Sequence, residues 1–421
     1  MATTRIVRAH KLIIGFDETT QQSIVYTPGE LEIDLTTGEV IRSGPIANDA
    51  TGTPNDGAEW YDILMPGFVE IHTHGPGAPT DDVFFNWLYP EEVLQELCHH
   101  GTTSVVATVT FANKHKDVVT TIAQRLEAIY GVPATTLHDR ASLEGVHCEG
   151  PMIQSYGGLP DGSDYEADPN TVLSLYPKSL KIITIAPSAD ARTGYSYTKA
   201  ALAKGVVVAI GHDRDTSAED IIGQMRCARD CGAQPLHVTH MFNVMSHNHR
   251  KPGIVDFALC NRYPNLPQYE GLVPPTVEII GDMLHVDPLV LGNTLRTLGD
   301  RGCLITDAIA TKHFDGHLMF NDRAVEVRDG KLVLKGTSTI AGSCSTMDEL
   351  LRNAVNIIGL PITEAVRLLS ERPARVARLY PYIGCLKDKS RADFVALSND
   401  LEVRRVVVAG NTVFESEGAK K

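Results

Sequence analysis

Two histidines separated by one residue follow a largely apolar run near the start of the chain. The run covers residues 64–71, and His72 and His74 stand directly after it. Side chains alternate between faces along an extended strand, so both imidazoles project in the same direction. Two neutral imidazoles on one face can bind a single metal ion. Taken alone, the pair is also compatible with ordinary surface or core histidines.

Four further residues of metal-ligand type follow later apolar runs. They are Glu149, His212, His240 and Asp307. Each stands at the end of its run or one or two residues beyond it. Six carboxylate and imidazole side chains thus stand at or just after the ends of apolar runs. This shared placement favours a metal site over unrelated structural roles.

The apolar runs alternate with helical patterns, which is typical of β–α units and a parallel sheet. Eight runs are present, at residues 68–71, 103–109, 143–148, 181–187, 206–210, 237–240, 277–280 and 303–306. Helical periodicity is clearest at residues 90–100, 116–130, 217–231 and 288–298. We therefore predict a closed (β/α)8 TIM barrel, in which polar residues at the carboxyl ends of strands form the active site.

Short β-like runs with turn signals occupy both ends of the chain. We predict that residues 1–63 and 385–421 form one small β-sandwich domain, and that residues 64–384 form the barrel. Helices are expected after the eighth strand, at residues 347–358 and 362–369. Two segments rich in Gly, Pro and Asn, residues 151–170 and 245–275, are expected to be long functional loops.

Composition limits the classes of partner. The 421 residues include 38 Lys and Arg against 52 Asp and Glu, a net charge of −14. This balance disfavours nucleic acid and anionic membranes, and an anionic substrate needs a local basic pocket. The sequence contains no apolar run of bilayer length and no secretion signal at its start, so we expect a cytoplasmic protein. Eight scattered cysteines suit reduced thiols, with Cys227 and Cys231 in ordinary packing.

The order His-x-His, Glu, His, His, Asp on successive strands resembles the amidohydrolase superfamily of metal-dependent barrels. Longer motifs resemble the N-acetylglucosamine-6-phosphate deacetylase family in particular. These motifs are Gly-Val-His-Cys-Glu-Gly-Pro at 145–151, Thr-His-Met-Phe-Asn-Val-Met at 239–245, Asp-Met-Leu-His-Val-Asp at 282–287 and Thr-Asp-Ala at 306–308. The likeness covers residues 64 to 380, and the split end domain fits that family as well.

The resemblance implies roles for individual residues at the metal site. The implied metal ligands are Glu149, His212 and His240. Asp307 is implied as the catalytic acid and base, and His285 as the group that polarises the carbonyl or holds the sugar. Family members that keep His-x-His can bind two metals bridged by the glutamate, so we expect one or two divalent ions, with two favoured. The ligand types suit zinc or iron.

Substrate contacts are implied for Asn243, Val244 and Arg250, which would bind the phosphate of an amino sugar. Arg250 also belongs to the most basic stretch near the predicted barrel mouth, and a guanidinium group suits phosphate. In the family this arginine reaches the neighbouring subunit, which implies a homodimer. The expected reaction is deacetylation of a phosphorylated amino sugar, N-acetylglucosamine 6-phosphate. The segment after Pro151 lacks the histidine with which the family touches the sugar.

Two other functions are compatible with a metal-binding barrel of this kind. A different amide hydrolase of the dihydroorotase type would need a carboxylated lysine ending the fourth strand, whereas Lys181 begins it. A metal-binding scaffold without activity is disfavoured because Asp307 suits acid–base catalysis rather than a closed structural site.

His147 lies two residues before Glu149, and we expect it to orient that carboxylate.

Overall fold

The computed structural model describes residues 4–46, 59–159, 169–312 and 318–417, so the predicted loop at 151–170 lies partly outside the described residues. The first five strands are β1 (Thr4–Asp17), β2 (Gln22–Tyr26), β3 (Gly29–Asp34), β4 (Glu39–Pro45) and β5 (Glu59–Pro66). The next eight are β6 (Phe68–Thr73), β7 (Thr102–Val109), β8 (Ser142–Glu149), β9 (Leu180–Ile185), β10 (Val207–Ile210), β11 (His237–Val238), β12 (Thr276–Ile280) and β13 (Gly302–Ile305). The remaining strands are β14 (Leu318–Phe320), β15 (Arg323–Arg328), β16 (Lys331–Leu334), β17 (Ile340–Ser343), β18 (Phe394–Leu397), β19 (Val403–Val408) and β20 (Asn411–Glu415).

Strands β6 to β13 form the parallel barrel, and each of the eight predicted runs overlaps one of them. Their side chains are almost all buried, as expected for strands that face a barrel interior on one side and helices on the other. The barrel closes where Thr73 pairs in parallel with Ala308. At this seam the Asp307 amide donates to the carbonyl of His72 (3.0 Å) and the His74 amide donates to Ala308 (2.8 Å). The predicted fold class is confirmed.

Helices surround the barrel in the expected places. They are α1 (Pro90–His99), α2 (Lys116–Ile129), α3 (Pro169–Leu175), α4 (Pro187–Ala191), α5 (Ser196–Ala203), α6 (Ala218–Asp230), α7 (Ile254–Leu259) and α8 (Pro288–Leu298). Three more follow, α9 (Met347–Arg352), α10 (Ile362–Val366) and α11 (Arg372–Val376), and π-helical turns at Asn353–Ile357 and Arg367–Glu371 extend α9 and join α10 to α11. Within the described ranges, no helix is long and apolar enough to cross a membrane.

Both chain ends contribute to one small β domain. Strand β5 pairs in parallel with β1 and antiparallel with β18, so the first and last segments share one eight-stranded sheet. A buried ion-pair network attaches this sheet to the barrel. Arg391 contacts Glu144 (2.7 Å) and Asp393 (2.6 Å) and donates to the hydroxyl of Ser104 (2.8 Å). The assigned limits of the domains remain a prediction.

An antiparallel sheet of four strands, β14 to β17, follows the eighth barrel strand and was not predicted. Its hairpin turns contain Asn321, Asp322 and Asp329, all at positive φ, and Asp329-Gly330 is a hairpin signal that the sequence does contain. Strand β17 joins the end of the barrel, because Ser343 donates its amide to the carbonyl of Asp307 (3.0 Å). This sheet therefore lies beside the predicted site.

Candidate active site

The predicted ligands converge at the carboxyl end of the barrel, with Glu149 between two groups of side chains. On one side its Oε1 lies 2.9 Å from Nε2 of His212 and 2.8 Å from Nε2 of His240. The same two histidine nitrogens are 3.0 Å apart. These three residues come from neighbouring parts of the barrel, the ends of β8, β10 and β11.

The second group contains His72, His74 and Asp307. Nε2 of His74 lies 3.3 Å from Oε2 of Glu149 and 3.2 Å from Oδ1 of Asp307. Nε2 of His72 lies 3.4 Å from the same Asp307 oxygen. Oε2 of Glu149 thus faces His74, whereas Oε1 faces His212 and His240 and also lies 3.6 Å from Nε2 of His72. All six predicted residues meet in one buried cluster.

The backbone turns sharply at three of these residues. The backbone φ angles of His212, His240 and Asp307 are +53°, +25° and +50°. Residues other than glycine rarely adopt such positive values. Each of the three ends a barrel strand, and the turn directs its side chain into the mouth. Such conformations cost on the order of 1–3 kcal/mol each and are concentrated at functional sites.

The charges of the cluster favour a cation. Burial alone would raise the pKa of Glu149, but the charge of His212 and hydrogen bonds from His212, His240 and His74 lower it well below its usual range. Burial alone would raise the pKa of Asp307, but the hydrogen bond from His74 and the nearby charges of His72, His74 and His240 together lower it. Burial would lower the pKa of His72, yet the neighbouring carboxylates raise it to about 10. Ionised buried carboxylates need a positive partner, which a divalent metal supplies.

Unpaired ligand atoms also fit a metal. Among the described residues, Nε2 of His72 is buried without a hydrogen-bond partner, and Oε2 of Glu149 has only the 3.3 Å contact with Nε2 of His74, which is costly in the absence of another ligand. In the part of the chain that the structure describes, three sets of three residues have ligand atoms within 4.8 Å of one another. They are His72, Glu149 and His240; His72, His74 and Asp307; and His72, His147 and Glu278.

Glu278 and Glu70 are two buried carboxylates near the centre that the prediction missed. Glu278 on β12 is fully buried beside the His72 ring, with 2.5 Å between Oε1 and Nδ1. Glu70 on β6 accepts the backbone amides of His72 (3.0 Å) and Thr306 (3.1 Å). Acidic residues inside otherwise apolar parallel strands are costly to bury, and this was the signal in the sequence.

His147 lies next to the centre but has other partners than the one expected. Its ring stacks edgewise on His72 with centroids 4.8 Å apart. Its Nδ1 contacts the carbonyl of Ile71 (3.0 Å) and its Nε2 contacts the hydroxyl of Thr184 (2.8 Å). The expected contact with Glu149 is therefore replaced by contacts that fix the ring against β6 and β9.

A cleft of about 310 Å³ begins beside His240. The residues that line it are Gly157, Gly158, Arg214, Met241, Phe242, Asn243, Val244, Ile280, His285, Val286, Ser338, Thr339 and Ile340. Three predicted substrate residues, Asn243, Val244 and His285, are therefore brought together. Asp282 holds the His285 ring through Nδ1 (2.6 Å), which leaves Nε2 for a substrate. The start of β17 forms one wall.

The fourth predicted substrate residue, Arg250, does not line this cleft. It is exposed, and its backbone amide donates to Asn248 (2.9 Å). The arginine at the cleft is Arg214, two residues after His212, which the sequence analysis did not select. Within the described part of the chain, no carboxylate forms an ion pair with the Arg214 guanidinium.

Comparison with known proteins agrees with this geometry. The amidohydrolase family profile matches residues 63–413, and the chain belongs to that family of hydrolytic enzymes. An N-acetylglucosamine-6-phosphate deacetylase of Bacillus subtilis is 29% identical over 366 residues, covering 85% of this chain and 86% of that protein. An N-acetylgalactosamine-6-phosphate deacetylase of Escherichia coli O157:H7 is 27% identical, with coverage of 83% and 87%.

A solved structure is similar along almost the whole chain. It is a mutant N-acetyl-D-glucosamine-6-phosphate deacetylase of Mycobacterium smegmatis in complex with N-acetyl-D-glucosamine-6-phosphate. The identity is 28%, the TM-score is 0.76, and the match covers 98% of this chain and 99% of the other. The family resemblance read from the motifs is confirmed.

Proposed function

We propose that the protein hydrolyses the acetamido group of N-acetylglucosamine 6-phosphate, releasing glucosamine 6-phosphate and acetate. The observation that supports this most directly is a buried histidine–carboxylate centre containing Asp307, next to a cleft that Asn243, Val244 and His285 line. The relatives named above act on phosphorylated acetamido sugars, according to their names.

Asp307 is the proposed acid and base. Its low pKa makes it a carboxylate at neutral pH, able to accept a proton from the attacking water. The water oxygen bonds to the acetamido carbonyl carbon, and the carbon–nitrogen bond then breaks. Asp307 returns the proton to the departing amine nitrogen. His285, held by Asp282, is placed to orient the sugar or its carbonyl oxygen.

The proposed metal ligands are His72, His74, Glu149, His212 and His240, and we propose two divalent ions, zinc or iron. A metal bound here would lower the pKa of a water toward ~7 and polarise the carbonyl. Two ions are supported because His74 faces Oε2 of Glu149 while His212 and His240 face Oε1, so this carboxylate would offer one ligand oxygen to each side of the centre.

Recognition of the phosphate is assigned to the cleft. The side-chain amide of Asn243 and the backbone amide of Val244 can donate hydrogen bonds, whereas the backbone amide of Asn243 already donates to the carbonyl of His240 (3.0 Å), and Arg214 supplies a cation in the same cleft. Arg250 is exposed outside its own cleft, which is consistent with the proposal that it serves the neighbouring subunit of a homodimer. Location in the cytoplasm is part of the same proposal.

One alternative substrate has specific support. The galactosamine-type relative from E. coli matches nearly as well as the others, and residues 151–159 lack the histidine that the family uses at the sugar. The epimeric N-acetylgalactosamine 6-phosphate is therefore the second candidate.

A panel of substrates tests the proposal. Acetate release is measured with both acetamido sugar 6-phosphates, with unphosphorylated N-acetylglucosamine and with a cyclic amide, using Asp307→Asn as the inactive control. We expect the highest kcat/KM for N-acetylglucosamine 6-phosphate. Preference for the galactosamine epimer would replace the substrate, and turnover confined to the cyclic amide would overturn the deacetylase assignment.

A further inference from the structure

Glu278 accepts three hydrogen bonds from residues in and beside the candidate metal centre. Its Oε1 accepts the Nδ1–H of His72 (2.5 Å) and the backbone amide of His240 (3.1 Å). Its Oε2 accepts the Nε2–H of His237 (3.1 Å). One fully buried carboxylate on β12 therefore joins His72 of β6 to two residues near β11. His237 begins that strand, and His240 lies two residues beyond its end.

These contacts decide how His72 faces the centre. A carboxylate at Nδ1 keeps the proton on that nitrogen, so the lone pair of the neutral ring lies on Nε2. Nε2 is the buried atom without a hydrogen-bond partner, 3.4 Å from Oδ1 of Asp307 and 3.6 Å from Oε1 of Glu149. In the neutral form of the ring, which is the form that binds a metal, Glu278 thus directs the lone pair of Nε2 toward the candidate metal position.

Direct metal ligation by Glu278 is the competing role, since its carboxylate also lies close to His72 and His147. Both of its oxygens are already hydrogen bonded, and both nitrogens of His147 have partners of their own. The other ring nitrogen of His237 is likewise held by the hydroxyl of Thr276 (2.8 Å). The contacts around Glu278 are therefore complete without an ion.

We propose that Glu278 is a positioning residue that fixes the tautomer and orientation of His72 and so maintains the metal position formed by His72, His74 and Asp307. The inference rests on the proposed metal ligation by His72 and is independent of the substrate. Outer partners of metal-binding histidines typically change metal affinity by about 10–100-fold.

Metal binding by two Glu278 variants tests this role. The metal-depleted full-length protein is titrated with Zn²⁺ and with Co²⁺, whose visible absorption reports the ligand geometry. Glu278→Leu removes the acceptor, and we expect it to weaken one of two metal sites by about 10–100-fold and to change the Co²⁺ spectrum. Glu278→Gln keeps an acceptor oxygen, and we expect it to restore part of the affinity.

Two controls separate the possible failures. Glu70→Gln alters a buried carboxylate that touches the backbone of His72 but not its ring, and we expect a smaller change in affinity than with Glu278→Leu. If His72→Ala loses metal while both Glu278 variants keep the parental affinity and spectrum, the positioning role is overturned. If His72→Ala also keeps all metal, the proposed metal ligation itself is wrong. Should Glu278→Leu not fold, Glu278→Ala, which also removes the acceptor, takes its place, and parental affinity and spectrum in that variant overturn the inference.

Discussion

His72 on the first barrel strand and Asp307 at the end of the last lie 3.4 Å apart, measured from Nε2 to Oδ1. The seam that closes the barrel creates this contact, because the Asp307 amide donates to the carbonyl of His72. A candidate metal ligand and the candidate proton carrier are thus held by the same backbone hydrogen bonds. The backbone contact that closes the barrel therefore also brings these two side chains together.

Asp307→Asn is expected to keep the metal and lose most activity. The amide is nearly isosteric with the carboxylate but cannot accept the proton, and general acid–base groups contribute ~10²–10⁴-fold. Elemental analysis and acetate release on the same preparation check both parts. Turnover close to that of the parent protein, with full metal content, would remove Asp307 from the mechanism.

His74→Ala is expected to lower metal content by about one ion per chain. His74 faces Oε2 of Glu149, whereas His212 and His240 face Oε1, so the group formed by Glu149, His212 and His240 stays intact. Elemental analysis of parent and variant gives the stoichiometry. A parent protein with a single ion per chain would contradict the two-metal proposal.

Arg214→Ala is expected to reduce kcat/KM for the phosphorylated sugar by roughly ten- to a hundredfold, since a hydrogen bond to a charged group contributes about 1.5–3 kcal/mol. Slow turnover of unphosphorylated N-acetylglucosamine should change little. Equal losses on both sugars would exclude Arg214 as a phosphate ligand.

Arg250→Ala is the matched variant outside the cleft, and mixing it with the Asp307→Asn protein tests whether Arg250 acts in a partner's site. Recovery of activity in mixed dimers would support that role.

His100 provides a pH-dependent prediction away from the metal. Burial would lower its pKa, but hydrogen bonds to Asp348 and Glu96 raise it from 6.5 to about 9. A raised folded-state pKa gives stabilisation that is fully present below pH 6.5 and lost as pH rises through 9. His100→Gln should therefore lower the urea midpoint more at pH 6 than at pH 10. His99→Gln, next to it, is the control, and an equal effect of His100→Gln at both pH values would contradict the ion-pair account.

The sequence by itself determined the barrel and the position of its polar centre. Strands buried on both faces must be apolar, so each run was visible, and the residues His72, Glu149, His240 and Asp307 stood out at the run ends. The helices at 90–100 and 288–298 followed from their periodicity for the same reason. These features depend on local pattern alone.

The tertiary structure decided which distant groups meet. In the sequence, Glu278 is one acidic residue within an apolar run, and only the folded barrel brings it against the ring of His72. The sheet β14–β17 became a cleft wall only because its last strand joins the end of the barrel beside Asp307. Arg214 lines the cleft and Arg250 does not, although both are loop arginines near strand ends. Such contacts join strands and loops that are remote in sequence, and no local periodicity encodes them.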